Sequence, residues 1–135
     1  MKLYLLDTNT LSYFIKGMNP GLHTRMARGL HAQDVAMSAI THAELRYGQS
    51  LMAANDKRRR AIDLVFTQVP TLPWDAAAAD HYGILKALLK QLGKPIGEID
   101  TQIAAHALAE QLILVSHNTR HFDRLPDLQL ENWMK

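Results

Sequence analysis

Short apolar runs alternate with longer amphipathic stretches along the chain. Residues 2–6 are too short for a helix and read as a buried strand; Asp7-Thr8-Asn9-Thr10 follows as a cluster of N-cap residues for a helix to about Lys16, which Gly17 stops. Asn19-Pro20 starts a helix toward Gly29, residues 35–39 read as a second strand, and Thr41 opens a helix with Ile40, Tyr47 and Leu51 on one face. Asn55-Asp56 starts a basic helix through Phe66, and residues 69–72 form a short Pro-bounded strand. Asp75 caps a long helix whose Ala78, Tyr82, Leu85, Leu89 and Leu92 share a face, with Gly93 as its C-cap. After Lys94-Pro95-Ile96-Gly97 come a helix to about Gln111, an apolar strand at 112–115, a short turn or helix at 120–125 and a last extended piece at 128–130. Strands separated by helices imply a parallel sheet covered on both faces, an α/β fold. Ligands of such sheets bind beyond the carboxyl ends of the strands.

At 135 residues the chain allows one compact domain, 1–135, and no internal repeat or linker divides it. Its 47% hydrophobic and 21% charged residues suit a buried core rather than disorder. Cysteine is absent, which excludes disulfides, thiolate zinc sites and a cysteine nucleophile, and fits a reducing compartment. No apolar stretch approaches the roughly 18–20 residues of a membrane span, and the run at 3–6 falls short of a signal core. The expectation is a soluble cytoplasmic protein with no membrane partner. Fifteen Lys and Arg against 13 Asp and Glu give a net charge of +2, which permits a polyanionic partner without selecting one.

Three carboxylates stand out. Asp7 lies where a strand gives way to a helix, a functional position in parallel sheets but also an ordinary N-cap. Glu44 ends the string Thr41-His42-Ala43-Glu44, a capping box in which it would reach back to the Thr41 N–H. Yet Ile40, Tyr47, Gly48 and Leu51 share its helix face and set it on an apolar stripe, a costly place for a charge. Asp100 points along Ile103, Ala104, Ala107 and Leu108, with no Lys or Arg three or four residues on to neutralise it. The plainer reading of Asp100 is a first-turn acid complementing the helix dipole, worth about 0.3–1 kcal/mol. Three acids converging at one sheet edge would repel unless a cation lay between them. Oxygen donors with open positions suit Mg²⁺ or Mn²⁺, and the chemistry indicated is metal-assisted phosphodiester hydrolysis.

Taken together, Leu6-Asp7-Thr8-Asn9, then Ser38-Ala39-Ile40-Thr41-His42-Ala43-Glu44-Leu45, then Pro95-Ile96-Gly97-Glu98-Ile99-Asp100 with Ile103-Ala104-Ala105-His106-Ala107, resemble the PIN-domain ribonucleases, specifically the VapC toxins of bacterial toxin–antitoxin pairs. The resemblance extends through Leu114-Val115-Ser116-His117-Asn118-Thr119-Arg120-His121-Phe122 to the end of the chain. It implies a three-layer α/β/α fold around a mostly parallel sheet of about five strands. It implies an endoribonuclease whose Asp7, Glu44 and Asp100 bind Mg²⁺ or Mn²⁺ and cut structured RNA such as tRNA or rRNA, leaving a 3′-hydroxyl and a 5′-phosphate. It also implies inhibition by a tightly bound VapB antitoxin, a homodimer forming a heterotetramer or larger assembly with it, and contact with DNA only through the antitoxin. Many relatives carry an acid immediately before the Phe of the closing segment; here that residue is His121, which could touch a phosphate or bind a softer metal. Thr8, Asn9, Ser116 and Asn118 are placed to orient carboxylates or a metal-bound water.

Arg46 and Arg120 stand close to these elements and could hold RNA phosphates. Lys57-Arg58-Arg59-Arg60 reads as a solvated helix face, a patch for an acidic partner segment, or a phosphate contact. His117 and His121 have the spacing of zinc ligands, but no His-Glu-x-x-His motif accompanies them. Asn9 removes the second acid that an aspartyl-phosphate hydrolase would need. Two competing readings remain: a catalytically weak binding module that acts in an antitoxin complex to repress its operon, and acids that are merely caps worth about 1 kcal/mol each. The helices at 11–15 and 85–92 offer apolar faces for a dimer.

Overall fold

The computed structural model describes residues 2–134. The strands are β1 (Tyr4–Leu6), β2 (Val35–Ser38), β3 (Thr71–Leu72), β4 (Ile113–Val115) and β5 (Leu130–Glu131). The helices are α1 (Thr8–Lys16), α2 (Pro20–Ala32), α3 (Ala39–Ser50), α4 (Lys57–Gln68), α5 (Ala76–Gln91), α6 (Glu98–Glu110) and α7 (Thr119–Phe122). The strands form one sheet in the order β3-β2-β1-β4-β5, and every pairing is parallel. Leu5 of central β1 sits between Ala36 and Leu114.

Neighbouring strand residues face opposite sides, as the pleat requires. Leu5 and Leu114 join a core with Leu85, Leu89, Ile103 and Phe122, from α5, α6 and α7. Leu6 and Val115 join a second core with Leu11, Met26, Leu45 and Ile62, from α1 to α4. Two apolar layers on a doubly buried sheet give the expected α/β/α architecture. Among the described residues no helix is long and apolar enough to cross a membrane.

Local signals set most boundaries. Asp7, Asn19, Asp56 and Asp75 each accept a backbone N–H at the start of a helix. Gly17 and Gly93 take positive φ of 69° and 68° where α1 and α5 end, the conformation glycine adopts at least cost. Three expectations are corrected. Ser38, whose Oγ accepts from the Ile40 N–H at 3.1 Å, caps α3, so Ala39 belongs to the helix and Thr41 lies inside it without a capping box. The inward face of α3 is Thr41, Leu45 and Gln49, while Tyr47 and Leu51 are 68% and 71% exposed. Gln49 is tolerated there because its amide donates to Arg59 O and Asp63 Oδ1. Gly29 does not end α2: a Cβ there would lie 2.8 Å from Val35 Cγ1, so it permits close packing, and the helix runs on to Ala32. On the two helices that offered apolar faces for a dimer, Leu11, Leu85 and Leu89 are core residues, while Tyr13 and Leu92 are 37% and 53% exposed.

Candidate active site

Asp7, Glu44 and Asp100 enter one cleft of about 340 Å³, beside Thr8 and Asn9. The three acids are carried by different elements at the carboxyl edge of the sheet. Asp7 directly follows central β1, Glu44 lies one turn into α3 after β2, and Asp100 lies in the first turn of α6. This is the edge where ligands of parallel sheets are held.

Asp7 is both cap and site residue. Its Oδ1 accepts the Thr10 N–H at 2.8 Å, and the residue is 3% exposed. Burial pushes its carboxyl pKa above the usual value; hydrogen bonds from Ser116 and Thr10 oppose that rise, and the nearby Asp100 charge adds to it. Among the described residues no Lys or Arg forms an ion pair with it. A buried carboxylate held this way gains from any cation that enters the cleft.

Glu44 reaches the cleft for a reason the sequence did not give. The capping box is not formed and the supposed apolar stripe is solvent-exposed at Tyr47 and Leu51. Glu44 is instead half-buried, and its Oε1 accepts a 2.6 Å hydrogen bond from the Thr8 hydroxyl. Thr8 Oγ1 also lies 3.1 Å from the hydroxyl of buried Thr41. Thr8 thus fixes one carboxylate oxygen of Glu44, and among the described residues no hydrogen bond engages the other.

Asp100 shares its helix face with buried Ile103, Ala104 and Ala107, as the spacing predicts. Its partner comes from α7: His121 Nδ1 lies 2.9 Å from Asp100 Oδ2. The same nitrogen lies 2.8 Å from Asn118 Nδ2, and the Asn118 N–H donates to buried Ser116 Oγ. Ser116, Asn118 and His121 therefore form a connected support beneath Asp7 and Asp100.

Glu98 also lines the cleft, and the sequence reading passed over it. Its signal was an acid two residues before Asp100 in the same first turn; its carboxylate is held outward by Lys86 Nζ at 3.0 Å. Gly97, with φ of 95°, begins α6 without a side-chain cap. Only glycine adopts that backbone readily, and it lets the helix start at the cleft wall.

Arg46 is absent from the cleft. It pairs with Asp63 at 2.9 Å, donates to Gln49 Oε1 at 2.8 Å and stacks 4.1 Å from the Phe66 ring centre. Two residues along a helix turn a side chain about 200°, so Arg46 faces α4 when Glu44 faces the cleft. Within the basic run, Arg59 donates to Gln49 O and Met52 O and ties down the end of α3. Arg58 clasps Asp56, whose carboxyl its hydrogen bonds lower to about 2. With Arg58 and Arg59 so engaged, the run is not a continuous phosphate surface. Arg120 is exposed and borders a separate groove with Asn9 and His117. His117 meets Asn132 rather than a metal partner of His121.

Carboxylate oxygens are the hard donors that Mg²⁺ and Mn²⁺ prefer, and the residues present fit such an ion in kind. Among the described residues no three Asp, Glu or His side chains converge tightly enough to surround an ion as they stand. Mg²⁺ needs only one or two direct carboxylates and keeps several waters, a demand this open cleft meets.

The chain matches the PIN domain family over residues 4–128. It is 39% identical over 134 residues to ribonuclease VapC2 of Haemophilus influenzae, covering 99% of this chain and 100% of that one. It is 34% identical over 133 residues to the tRNA(fMet)-specific endonuclease VapC of Salmonella typhimurium, covering 98% and 99%. Among solved structures, DNA-bound VapBC from Salmonella typhimurium contains a chain that matches with a TM-score of 0.91 at 32% identity, over 98% of this chain and 99% of that one. VapBC2 from Rickettsia felis, bound to a DNA fragment from its promoter, gives 0.88 at 32% identity over 97% and 98%. Fold and near-full-length identity agree: the chain belongs to the PIN-domain family and, within it, to the VapC group.

Proposed function

We propose that this chain is a Mg²⁺- or Mn²⁺-dependent endoribonuclease, the toxin of a toxin–antitoxin pair, which hydrolyses phosphodiester bonds in structured RNA such as tRNA. The observation that carries the reading is Asp7: a 97% buried carboxylate, unpaired with Lys or Arg among the described residues, in one cleft with Glu44 and Asp100. Asp7, Glu44 and Asp100 would hold the ion. The metal would supply charge neutralisation at the scissile phosphate and an activated water.

The chain's own residues do the positioning. Thr10 fixes Asp7 Oδ1, Thr8 fixes Glu44 Oε1, and His121 faces Asp100 Oδ2. Each acid thus has one oxygen already oriented, which limits reorganisation during reaction. Ser116 and Asn118 act through these carboxylates and through His121.

Names of relatives support the substrate and partner classes: ribonuclease VapC2, a tRNA(fMet)-specific endonuclease, and VapBC assemblies with DNA. The reading therefore includes a VapB-type antitoxin that restrains the toxin, a homodimer within a heterotetramer or larger complex, and DNA contact through the antitoxin. A cytoplasmic location follows from an RNA target in the cell interior. The substitution of His121 for an acid favours a second reading, a weakly catalytic module acting mainly in the antitoxin complex. Cleavage of tRNA by antitoxin-free protein, with product ends determined, separates the two. The nuclease reading requires EDTA-sensitive cutting that leaves a 5′-phosphate and a 3′-hydroxyl. Absence of cutting with intact antitoxin binding selects the module.

A further inference from the structure

A second groove, of about 300 Å³, opens beside the acidic cleft and shares Asn9 with it. Its chemistry differs. Tyr13 and His117 set their rings edge-to-face, with centres 6.3 Å apart, and Arg120 borders the same space. Lys16 Nζ lies 5.6 Å from the Tyr13 ring centre. Among the described residues neither Arg120 nor Lys16 forms an ion pair with a carboxylate. Tyr13 is 37% exposed although it lies on α1 between core residues. His117 is held by Asn132 Nδ2 at 3.3 Å, and the neighbouring Asn118 by Ser116, so the groove is built on fixed partners.

Flat rings flanked by unpaired cations are what single-stranded nucleic acid requires: a ring for the base and charge for the backbone. A double helix keeps its bases stacked inside, so the ligand class is an unpaired nucleotide. We propose that the Tyr13–His117–Arg120 groove is a nucleotide subsite that takes an unpaired base next to the scissile phosphate. The base packs against Tyr13 and His117, and Arg120 meets a flanking phosphate. Asn9 borders both spaces, so the strand passes from this groove into the acidic cleft. The subsite selects RNA that is locally single-stranded, such as a loop, without specifying which bases it contains. This inference rests on the ribonuclease reading.

The test uses the full chain and a short single-stranded oligoribonucleotide carrying 2-aminopurine. Binding is followed by fluorescence quenching in EDTA, and cleavage kinetics are followed in Mg²⁺. Tyr13→Ala is expected to lose the quenching and raise KM about tenfold with kcat little changed, while Tyr13→Phe restores both. Arg120→Gln is expected to weaken binding and to shallow the salt dependence by about one phosphate contact. Unchanged melting temperatures establish that the variants are folded. If wild type cuts RNA and Tyr13→Ala matches it in quenching and KM, the subsite is overturned, the ribonuclease reading stands, and the groove is left to a protein partner. If wild type quenches, Tyr13→Ala does not, and neither cuts, the ribonuclease reading falls and takes with it the placement beside a scissile phosphate, leaving a groove that binds an unpaired nucleotide. If wild type neither binds nor cuts, both fall.

Discussion

His121 Nδ1 faces Asp100 Oδ2 across 2.9 Å. The imidazole nitrogen also lies 2.8 Å from Asn118 Nδ2, and one atom serves only one of them at a time. It donates to Asp100 when it carries the proton and accepts from Asn118 when it does not. A carboxylate at this position would repel Asp100 in the absence of a cation and join it in the presence of one. His121→Asp is expected to lower stability in EDTA by about 1 kcal/mol, the Coulomb scale for close charges in water-like surroundings. Saturating Mn²⁺ should raise the melting temperature of the variant more than that of wild type. A variant with no greater response to Mn²⁺ than wild type would place residue 121 outside the ion's reach.

The Thr8–Glu44 hydrogen bond predicts a different signature. Thr8→Val keeps the volume and removes the donor, so Glu44 loses its fixed orientation. Activity should fall about 10–100-fold, the range seen when a group that orients a metal ligand is removed. Thr8→Ser should retain most of it. Equal activity in Thr8→Val and wild type would show that Glu44 orientation is irrelevant to turnover.

Asp7 offers a trade between stability and function. Asparagine keeps the N-cap on Thr10 and removes a buried charge. Asp7→Asn should therefore unfold at a higher temperature than wild type in EDTA and be inactive. Added Mg²⁺ or Mn²⁺ should stabilise wild type and leave the variant unmoved. A variant less stable than wild type in EDTA would mean that the carboxylate serves the fold rather than the site.

His106, on α6, links the helices that carry Asp100 and Glu44. Its Nδ1 lies 2.7 Å from Oγ of Ser38, the cap of α3, and its Nε2 is buried without a partner among the described residues. Burial holds its pKa below the usual value, and the negative charges of Glu110 and Asp75 oppose this more weakly. The unfolded chain therefore takes up a proton first as pH falls through about 6.5. Stability from a neutral, buried His106 is complete above that value and is lost progressively below it, by up to about 1.4 kcal/mol per pH unit. Denaturant unfolding at several pH values between 8 and 5 should show a slope that His106→Gln flattens. An identical slope in the variant would assign the acid sensitivity elsewhere.

Features set by neighbouring residues were readable from the sequence. Strand-helix alternation, the caps at Asp7, Asn19, Asp56 and Asp75, and the glycine stops at Gly17 and Gly93 all depend on contacts a few residues apart. Asp100 was found because its helix really does bury the face it points along. Glu44 was singled out on an argument that failed: α3 buries the polar Thr41 and Gln49 and exposes Tyr47, so apolar spacing misplaced its inner face. Partners distant in sequence were beyond reach. Thr8 with Glu44, His121 with Asp100 and Arg46 with Asp63 meet only once the sheet brings their elements together.

The most direct test compares wild type with Asp100→Asn, both free of antitoxin, for tRNA cleavage and melting temperature in Mg²⁺, Mn²⁺ and EDTA. A metal-holding Asp7–Glu44–Asp100 site predicts that wild type cuts only with a divalent ion and leaves 5′-phosphate ends. It predicts that Asp100→Asn does not cut and melts no earlier than wild type. Cleavage that persists in EDTA and leaves a 2′,3′-cyclic phosphate, or an Asp100→Asn variant that cuts as fast as wild type, would contradict it.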